Sequence, residues 1–235
     1  MKQRAWFLTD SGVVAVAAAL TLVVLVESVF PPWAPYFIIY AVLAIVIPLA
    51  WKTYTFGNFC AVLRTHWRFI LPALVVAITL NMGFSWLYQG MLNGFGLGDD
   101  AFYSLDLALA ALAARAGVRF GISTDTAMLV YAAFVLLWAP VGEELFYRGY
   151  VQGVLRRSHA FGAAALVSAA FFGLRHATHL FFLWPHVPLA AAASWVVSSF
   201  VFGVLMSYLY EKTNSLYPPI LVHFAANVIE VLLTV

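Results

Sequence analysis

Charged residues are scarce in this chain. Only 9% of its 235 residues are Asp, Glu, Lys or Arg, whereas about 25% is usual in a soluble domain. Apolar residues make up 64% of the chain, and the mean hydropathy is +0.94. This composition excludes a water-soluble globule and an intrinsically disordered chain, and it predicts an integral membrane protein that lies in a lipid bilayer.

Cysteines and basic tracts are also nearly absent. The single cysteine, Cys60, cannot form an internal disulfide, which excludes a disulfide-stapled scaffold. Twelve Lys and Arg residues against ten Asp and Glu residues give a formal net charge of +2, and no basic stripe stands out. A nucleic-acid partner is therefore not expected.

Long apolar runs predict an all-α fold, a polytopic membrane helix bundle with seven or eight spans in a single domain over residues 1–235. Barrel strands would instead give short segments of alternating hydrophobicity. A span must cross about 30 Å of hydrocarbon at about 1.5 Å per residue. The predicted spans are residues 12–30, 35–51, 69–90, 126–147, 160–182, 189–210 and 216–235, with 101–116 as a candidate eighth helix.

The basic residues predict the orientation of this bundle, because Lys and Arg in short loops mark the cytoplasmic side. With seven spans, the ends that carry Lys2, Lys52, Arg156 and Lys212 all fall on that side. The N-terminus is then inside and the C-terminus outside. No clear A-x-A cleavage site precedes Pro31, so the first apolar run is predicted to be a retained anchor.

A few ionisable residues interrupt the apolar segments of the second half, and they are the candidates for chemistry. They are Glu143, Glu144, Arg148, Arg175, His176, His179, His223 and Glu230. A charge at the centre of a membrane helix costs roughly 2.5–3.5 kcal/mol, so such groups usually face a partner or a wet cavity. Glu144 and Arg148 are four residues apart, which predicts a salt bridge on one helix face. Glu143 is not neutralised by this pair, so its side chain is expected to contact another helix. A structural ion-pair cluster is the alternative interpretation.

A polar stretch at residues 156–159 predicts a turn between two antiparallel helices. Glu143 lies 15 residues before Ser158, and His176 lies 18 residues after it. These two side chains are therefore expected at nearly the same depth, where they can meet. His179 is one turn further along and is expected to form an interface hydrogen bond.

Two further pairs share a helix face. His223 and Asn227 are four residues apart and offer an imidazole and an amide together, shortly after the helix start that Pro218-Pro219 indicates. Gly149 and Gly153 form a small-xxx-small pattern, which predicts close packing rather than chemistry.

Together these residues suit the hydrolysis of a peptide bond. This reaction needs an activated water and hydrogen-bond donors for the oxyanion. Glu143 can accept a proton from a water that His176 orients, while His223 and Asn227 can donate to the tetrahedral oxygen. A zinc site of Glu143, His176 and His223 is the metal-dependent alternative, but H-E-x-x-H is absent and no cofactor is predicted. A proton relay in a transporter and a non-enzymatic scaffold are the alternatives from other classes.

The three motifs occur in the order EExxxR, FxxxH and HxxxN. Their residues are Glu143, Glu144 and Arg148, then Phe172 and His176, then His223 and Asn227. This order resembles the CPBP family of CAAX proteases and bacteriocin-processing enzymes, also called Abi, which includes the type II CAAX prenyl endopeptidases. The resemblance covers roughly residues 126–230.

The resemblance implies a glutamate-dependent intramembrane endopeptidase. Glu143 and His176 would activate water, His223 and Asn227 would form the oxyanion hole, and Glu144, Arg148 and Phe172 would support the site. The implied substrate is a membrane protein or peptide that is cut near its C-terminus, and the compact chain is similar to members from the prokaryotic plasma membrane. Because the family also contains proposed immunity factors and scaffolds, a non-proteolytic role remains the alternative.

Overall fold

The computed structural model describes residues 6–29, 34–96, 121–178 and 188–234, and within these ranges it is helical without strands. The all-α prediction is therefore confirmed for the described part of the chain. The helices are α1 (Asp10–Val29), α2 (Ala34–Trp51), α3 (Phe59–Gly94), α4 (residues 124–155), α5 (Phe161–Arg175), α6 (Leu189–Thr213) and α7 (Tyr217–Thr234), preceded by a 3₁₀ turn at Trp6–Leu8.

Two of the described helices are long and apolar enough to cross a membrane, namely Phe59–Gly94 and Ala193–Thr213. Shorter apolar helices occur at Asp10–Val26, Ile39–Trp51, Phe161–Arg175 and Tyr217–Ile229. The number of seven or eight spans stays a prediction, and the candidate eighth helix at 101–116 lies outside the described residues.

Helix α3 begins ten residues before the predicted span 69–90. The predicted span starts only at residue 69 because Arg64 and Arg68, which precede it, are unfavourable in hydrocarbon. In the structure Asn58 caps the helix, and its side-chain oxygen accepts a hydrogen bond from the amide of Ala61 at 3.0 Å. A capped start satisfies one of the orphan amides of the first turn, so the helix extends through the basic segment.

Helix α4 changes twice from α to π geometry. Its consecutive pieces are Thr124–Ala133 (α), Phe134–Trp138 (π), Ala139–Glu143 (α), Glu144–Gln152 (π) and Gly153–Leu155 (α). π segments are rare and occur frequently at functional sites, because they widen the turn and redirect side chains. The two adjacent glutamates stand at the second of these transitions, and the helix continues past the predicted end at residue 147.

Helix α5 ends at Arg175, before the end of the predicted span 160–182, and residues 179–182 lie outside the described residues. His176 is the cap residue, and its amide donates to the carbonyl of Gly173 at 2.9 Å in a tightened final turn. The side chain of His176 also contacts the last turn, with Nδ1 at 2.8 Å from the carbonyl of Phe172. His179 lies outside the described residues.

An extended segment at residues 53–58 connects α2 to α3 and packs under α4. A Cβ atom added to Gly153 would lie 2.7 Å from the carbonyl oxygen of Thr53, and one added to Gly149 would lie 2.9 Å from Cβ of Tyr54. The close packing predicted for the two glycines is confirmed, although the partner is an extended segment rather than another helix.

Polar contacts gather several helix ends at one end of the bundle, which we call the basic end. Arg156 after α4 pairs with Glu211 near the end of α6 at 2.8 Å, and His159 contacts Asp10 at the start of α1 at 3.2 Å. The backbone amide of Leu216 donates to Thr55 in the extended segment. These contacts bring together helix ends that the Lys and Arg residues predicted to lie on the same side of the membrane. The membrane orientation itself stays a prediction.

Two apolar clusters flank the motif-bearing helices. One cluster combines residues of α1, α2, α4 and α5, and the other combines residues of α3, α6 and α7. Phe202 of α6 packs against both clusters, and its ring centroid lies 6.2 Å from that of Phe172 and 5.1 Å from that of His223. The predicted site residues therefore lie where the two clusters meet.

Candidate active site

Glu144 and Arg148 form a completely buried ion pair within the π segment of α4. Nη1 of Arg148 donates to Oε1 of Glu144 at 3.0 Å, and Nη2 donates to the carbonyl of Gly203 in α6 at 2.9 Å. The guanidinium also lies over the ring of Phe172, 4.6 Å from its centroid. The salt bridge predicted from the four-residue spacing is present, and it also connects α4 to α5 and α6.

His223 of α7 reaches both glutamates. Its Nδ1 lies 2.8 Å from Oε1 of Glu144, and its Nε2 lies 3.9 Å from Oε2 of Glu143. An ionised carboxylate only accepts hydrogen bonds, so Nδ1 is the donor in the first contact. Oε1 of Glu144 thus accepts from both Arg148 and His223, and Nε2 of the imidazole is directed towards the side of the site that holds Glu143.

Glu143 is connected to His176 through Arg175. The atom Nη1 of Arg175 lies 2.8 Å from Oε1 of Glu143 and 3.2 Å from Nε2 of His176. His176 Nδ1 lies 2.8 Å from the carbonyl of Phe172 and therefore donates to it, which leaves Nε2 as the acceptor. Glu143 and His176 were predicted to meet. In the structure Nη1 of Arg175 lies between them and contacts both side chains.

Arg175 is the site residue to which the sequence reasoning gave no role. It was among the few ionisable groups in the apolar segments, and its position directly before His176 was the available signal. A buried carboxylate such as Glu143, whose side chain is 2% exposed, needs a cationic partner because an unpaired buried charge is costly. Because Arg148 already pairs with Glu144, a second arginine could have been expected as the partner of Glu143.

Asn227 lies one turn beyond His223 on α7. Its Nδ2 donates to the carbonyl of Val135 at 2.8 Å. Val135 belongs to the first π segment of α4, where the irregular backbone pairing leaves a carbonyl available. The second amide hydrogen and Oδ1 have no partner among the residues that the structure describes.

A cavity of about 90 Å³ lies between α3, α5, α6 and α7. His176, His223 and Asn227 line it, together with Phe172 of the second motif. Glu143 is 1% exposed and contacts this lining through His223 and Arg175. The folded chain therefore brings four of the seven predicted motif residues to the lining of one cavity and places Glu143 behind them.

The described residues contain no group of three or more His, Cys, Asp or Glu side chains that could hold a metal ion. In the zinc alternative, Glu143 and His176 would have to share a metal with His223. The structure puts Nη1 of Arg175 between the first two, so a zinc ion would fit there only if Arg175 turned away. The expectation of no cofactor stays a prediction.

Comparison with known proteins gives one family match. No curated protein and no solved structure matches the chain. Residues 125–229 match the family described as type II CAAX prenyl endopeptidase, Rce1-like. The matched segment begins in α4, ends in α7 and contains all three motifs. The match supports the assignment of these residues to the CPBP family of CAAX proteases, which the three motifs indicated.

Proposed function

We propose that this membrane protein is an intramembrane endopeptidase that hydrolyses a peptide bond near the C-terminus of a membrane-associated protein or peptide. The observation that carries the proposal is the cavity inside the helix bundle. His176, His223 and Asn227 line it, and the buried carboxylate of Glu143 stands directly behind. The matched family is one of endopeptidases, and a site of this kind can serve such a reaction.

Glu143 is the proposed general base. It takes one proton from a water that is hydrogen-bonded to Nε2 of His176, and the resulting hydroxide attacks the carbonyl carbon of the scissile bond. When the carbon–nitrogen bond breaks, Glu143 returns that proton to the leaving amine. The reaction consumes one water, and the carboxylate ends as it began.

The water must occupy the point between Glu143 and His176 where Nη1 of Arg175 now lies. We therefore propose that Arg175 turns away from this point when substrate and water enter. Tyr40 offers a partner for the displaced guanidinium, because its ring centroid is 5.3 Å from Cζ of Arg175. In this role Arg175 holds Glu143 in place before the reaction.

His223 and Asn227 are the proposed oxyanion donors. Because Nδ1 of His223 already donates to Glu144, a second donation from Nε2 requires the protonated imidazolium. Its positive charge then balances the negative charge that develops on the tetrahedral oxygen. Asn227 contributes the amide hydrogen that Val135 leaves unused.

Glu144, Arg148 and Phe172 are proposed to position this machinery. Glu144 orients the His223 ring, Arg148 holds Glu144, and Phe172 stacks on Arg148 while its backbone carbonyl fixes the orientation of His176. We assign the protein to a prokaryotic plasma membrane.

The test compares native-host membranes that contain the wild type or Glu143→Gln at equal expression, by terminus-resolved mass spectrometry. The amide cannot accept the proton of water, so we expect new peptide termini with the wild type and none with the variant, a loss of at least about 10²-fold. Glu211→Gln, a half-exposed glutamate at the basic end, is the matched control and should retain all termini.

Identical termini from the wild type and Glu143→Gln would contradict the proposal and favour a scaffold or immunity role. A chelator arm tests the metal-dependent alternative: cleavage should persist in EDTA, whereas a loss that zinc restores would overturn the metal-free mechanism.

A further inference from the structure

The cavity has a second polar wall, on helices that carry none of the predicted catalytic residues. Asn81 of α3 and the neighbouring Ser198 and Ser199 of α6 line the same space as His176 and Asn227. We call these three residues the polar wall. Neither the three motifs nor the matched family description gives them a role.

The hydroxyl groups of the polar wall have no partner among the described residues. Hydroxyls in membrane helices usually bond to the carbonyl four residues earlier, as Thr79 does with Val75 and Thr213 with Leu209, both at 2.8 Å. Ser199 forms no such bond, although it is only 8% exposed. Because Ser199 lines the cavity, its hydroxyl can bond to a group that enters the cavity.

Only the amide nitrogen of the Asn81 side chain has a hydrogen-bond partner among the described residues. Its Nδ2 donates to the backbone carbonyl of Ala226 in α7 at 3.2 Å, which fixes the side chain beside the cavity. Its Oδ1 has no partner among the described residues and can accept a hydrogen bond. The polar wall thus offers two hydroxyls, each a donor and an acceptor, and one fixed acceptor.

The size of the cavity limits what can enter it. A cavity of about 90 Å³ is small beside an α-helix, which is about 10 Å wide with its side chains. A helical substrate therefore has to present a locally unwound segment. Unwinding inside a membrane exposes backbone N–H and C=O groups that have no water to bond to, which is costly for each group.

We propose that Asn81, Ser198 and Ser199 bind the main chain of the unwound substrate segment next to the scissile bond. Oδ1 of Asn81 accepts from a substrate N–H, and the two serine hydroxyls bond to substrate N–H and C=O groups. The wall recognises extended peptide backbone and is indifferent to side-chain identity. This inference rests on the proposed endopeptidase function.

The test variant is Ser198→Ala/Ser199→Ala, and Ser207→Ala is its matched control. Ser207 lies on the same helix and is buried, and its hydroxyl has no hydrogen-bond partner in the described structure, but it does not line the cavity. The probe is a synthetic peptide that spans a cleavage site found with native-host membranes, presented in detergent micelles. We expect the double variant to lose roughly 5- to 30-fold in kcat/KM, as expected for two lost hydrogen bonds. Ser207→Ala should stay within twofold of the wild type.

A second set of probes carries N-methyl groups on the amides that flank the scissile bond, one at a time. Methylation removes one donor that the wall would bind, so at one position the wild type should lose about 2- to 10-fold in kcat/KM, as expected for one lost hydrogen bond. Substrates with other side chains should show the same fold loss. Equal rates for Ser198→Ala/Ser199→Ala and Ser207→Ala would overturn the inference while leaving the endopeptidase intact. If the wild type cleaves nothing, the proposed function fails and this inference fails with it.

Discussion

The buried charges of the site and the charges at the basic end are organised differently. Glu144 and Arg148 are completely inaccessible to solvent, whereas the side chains of Arg156 and Glu211 are 35% and 29% exposed. Taking two charges out of the solvent costs several kcal/mol per ion, and only good geometry with additional hydrogen bonds offsets that cost. Half-exposed pairs need no such support, because water solvates them.

The contacts reflect this difference. In the site, Oε1 of Glu144 accepts from two residues and Nη1 of Arg175 contacts two residues, so the charges form a shared network across α4, α5 and α7. At the basic end, Arg156 and Glu211 form one bidentate pair, whose hydrogen bonds raise the pKa of Arg156. A network of buried charges contributes little net stability, so its presence favours a chemical role.

The largest expected effect comes from Arg148→Met, which removes the cation from the middle of the buried network. Glu144 would remain as an uncompensated buried charge and the Gly203 carbonyl would lose its donor. We expect the free energy of unfolding in mixed micelles to fall by about 3–5 kcal/mol. Arg157→Met, in the exposed turn after α4, is the control and should change little. A loss below that of an ordinary surface substitution would contradict the burial argument.

Arg175→Gln tests the second cation of the network. Its side chain is 12% exposed, so we expect a smaller loss of unfolding free energy than for Arg148→Met, about 2–3 kcal/mol. Because the loss arises from the unpaired carboxylate, Glu143→Gln/Arg175→Gln should be more stable than Arg175→Gln alone. Thermal unfolding of the two single variants and the double variant measures this coupling. Additive losses would show that Arg175 and Glu143 do not depend on each other.

Gly153→Ala separates packing from charge at the basic end. The new methyl group would lie 2.7 Å from the carbonyl oxygen of Thr53, where backbone rather than a flexible side chain must move. We expect a destabilisation of about 1–3 kcal/mol from overpacking. Gly162→Ala in α5 has no atom within 4 Å of the new methyl group and should be neutral or slightly stabilising. Equal effects of the two substitutions would contradict the tight packing of the extended segment.

The smallest effect is expected for Arg156→Ala, which removes the half-exposed pair with Glu211. We expect a loss of about 0.2–1 kcal/mol that shrinks further in high salt, because surface ion pairs are screened. Unfolding at low and high ionic strength measures both features. A loss comparable to that of Arg148→Met would remove the distinction between the two regions.

Much of the site was predictable because it depends on local spacing. Glu144 and Arg148 share a helix face at four residues' separation, and the structure confirms their ion pair. The turn after Arg156 also follows from its polar residues, and the structure places a turn there. The catalytic roles of Glu143, His176, His223 and Asn227 stay predictions.

Helix ends were predicted less well, because they depend on partners rather than on hydropathy. Helix α3 starts early where Asn58 caps it, and α5 stops at Arg175 where polar side chains find partners on other helices. The π geometry of α4 was also not predicted, since no local sequence signal distinguishes it from an ordinary helix.

The apolar helical character of the chain, the three motifs and the ion pair within one helix follow from composition and near-neighbour spacing. The bridge of Arg175 between Glu143 and His176, the bond of Asn227 to Val135 and the polar wall of the cavity become visible only in the folded chain. The contacts of Arg175 with Glu143 and of Asn227 with Val135 join different helices. Their geometry depends on how those helices pack, which no spacing along the chain specifies.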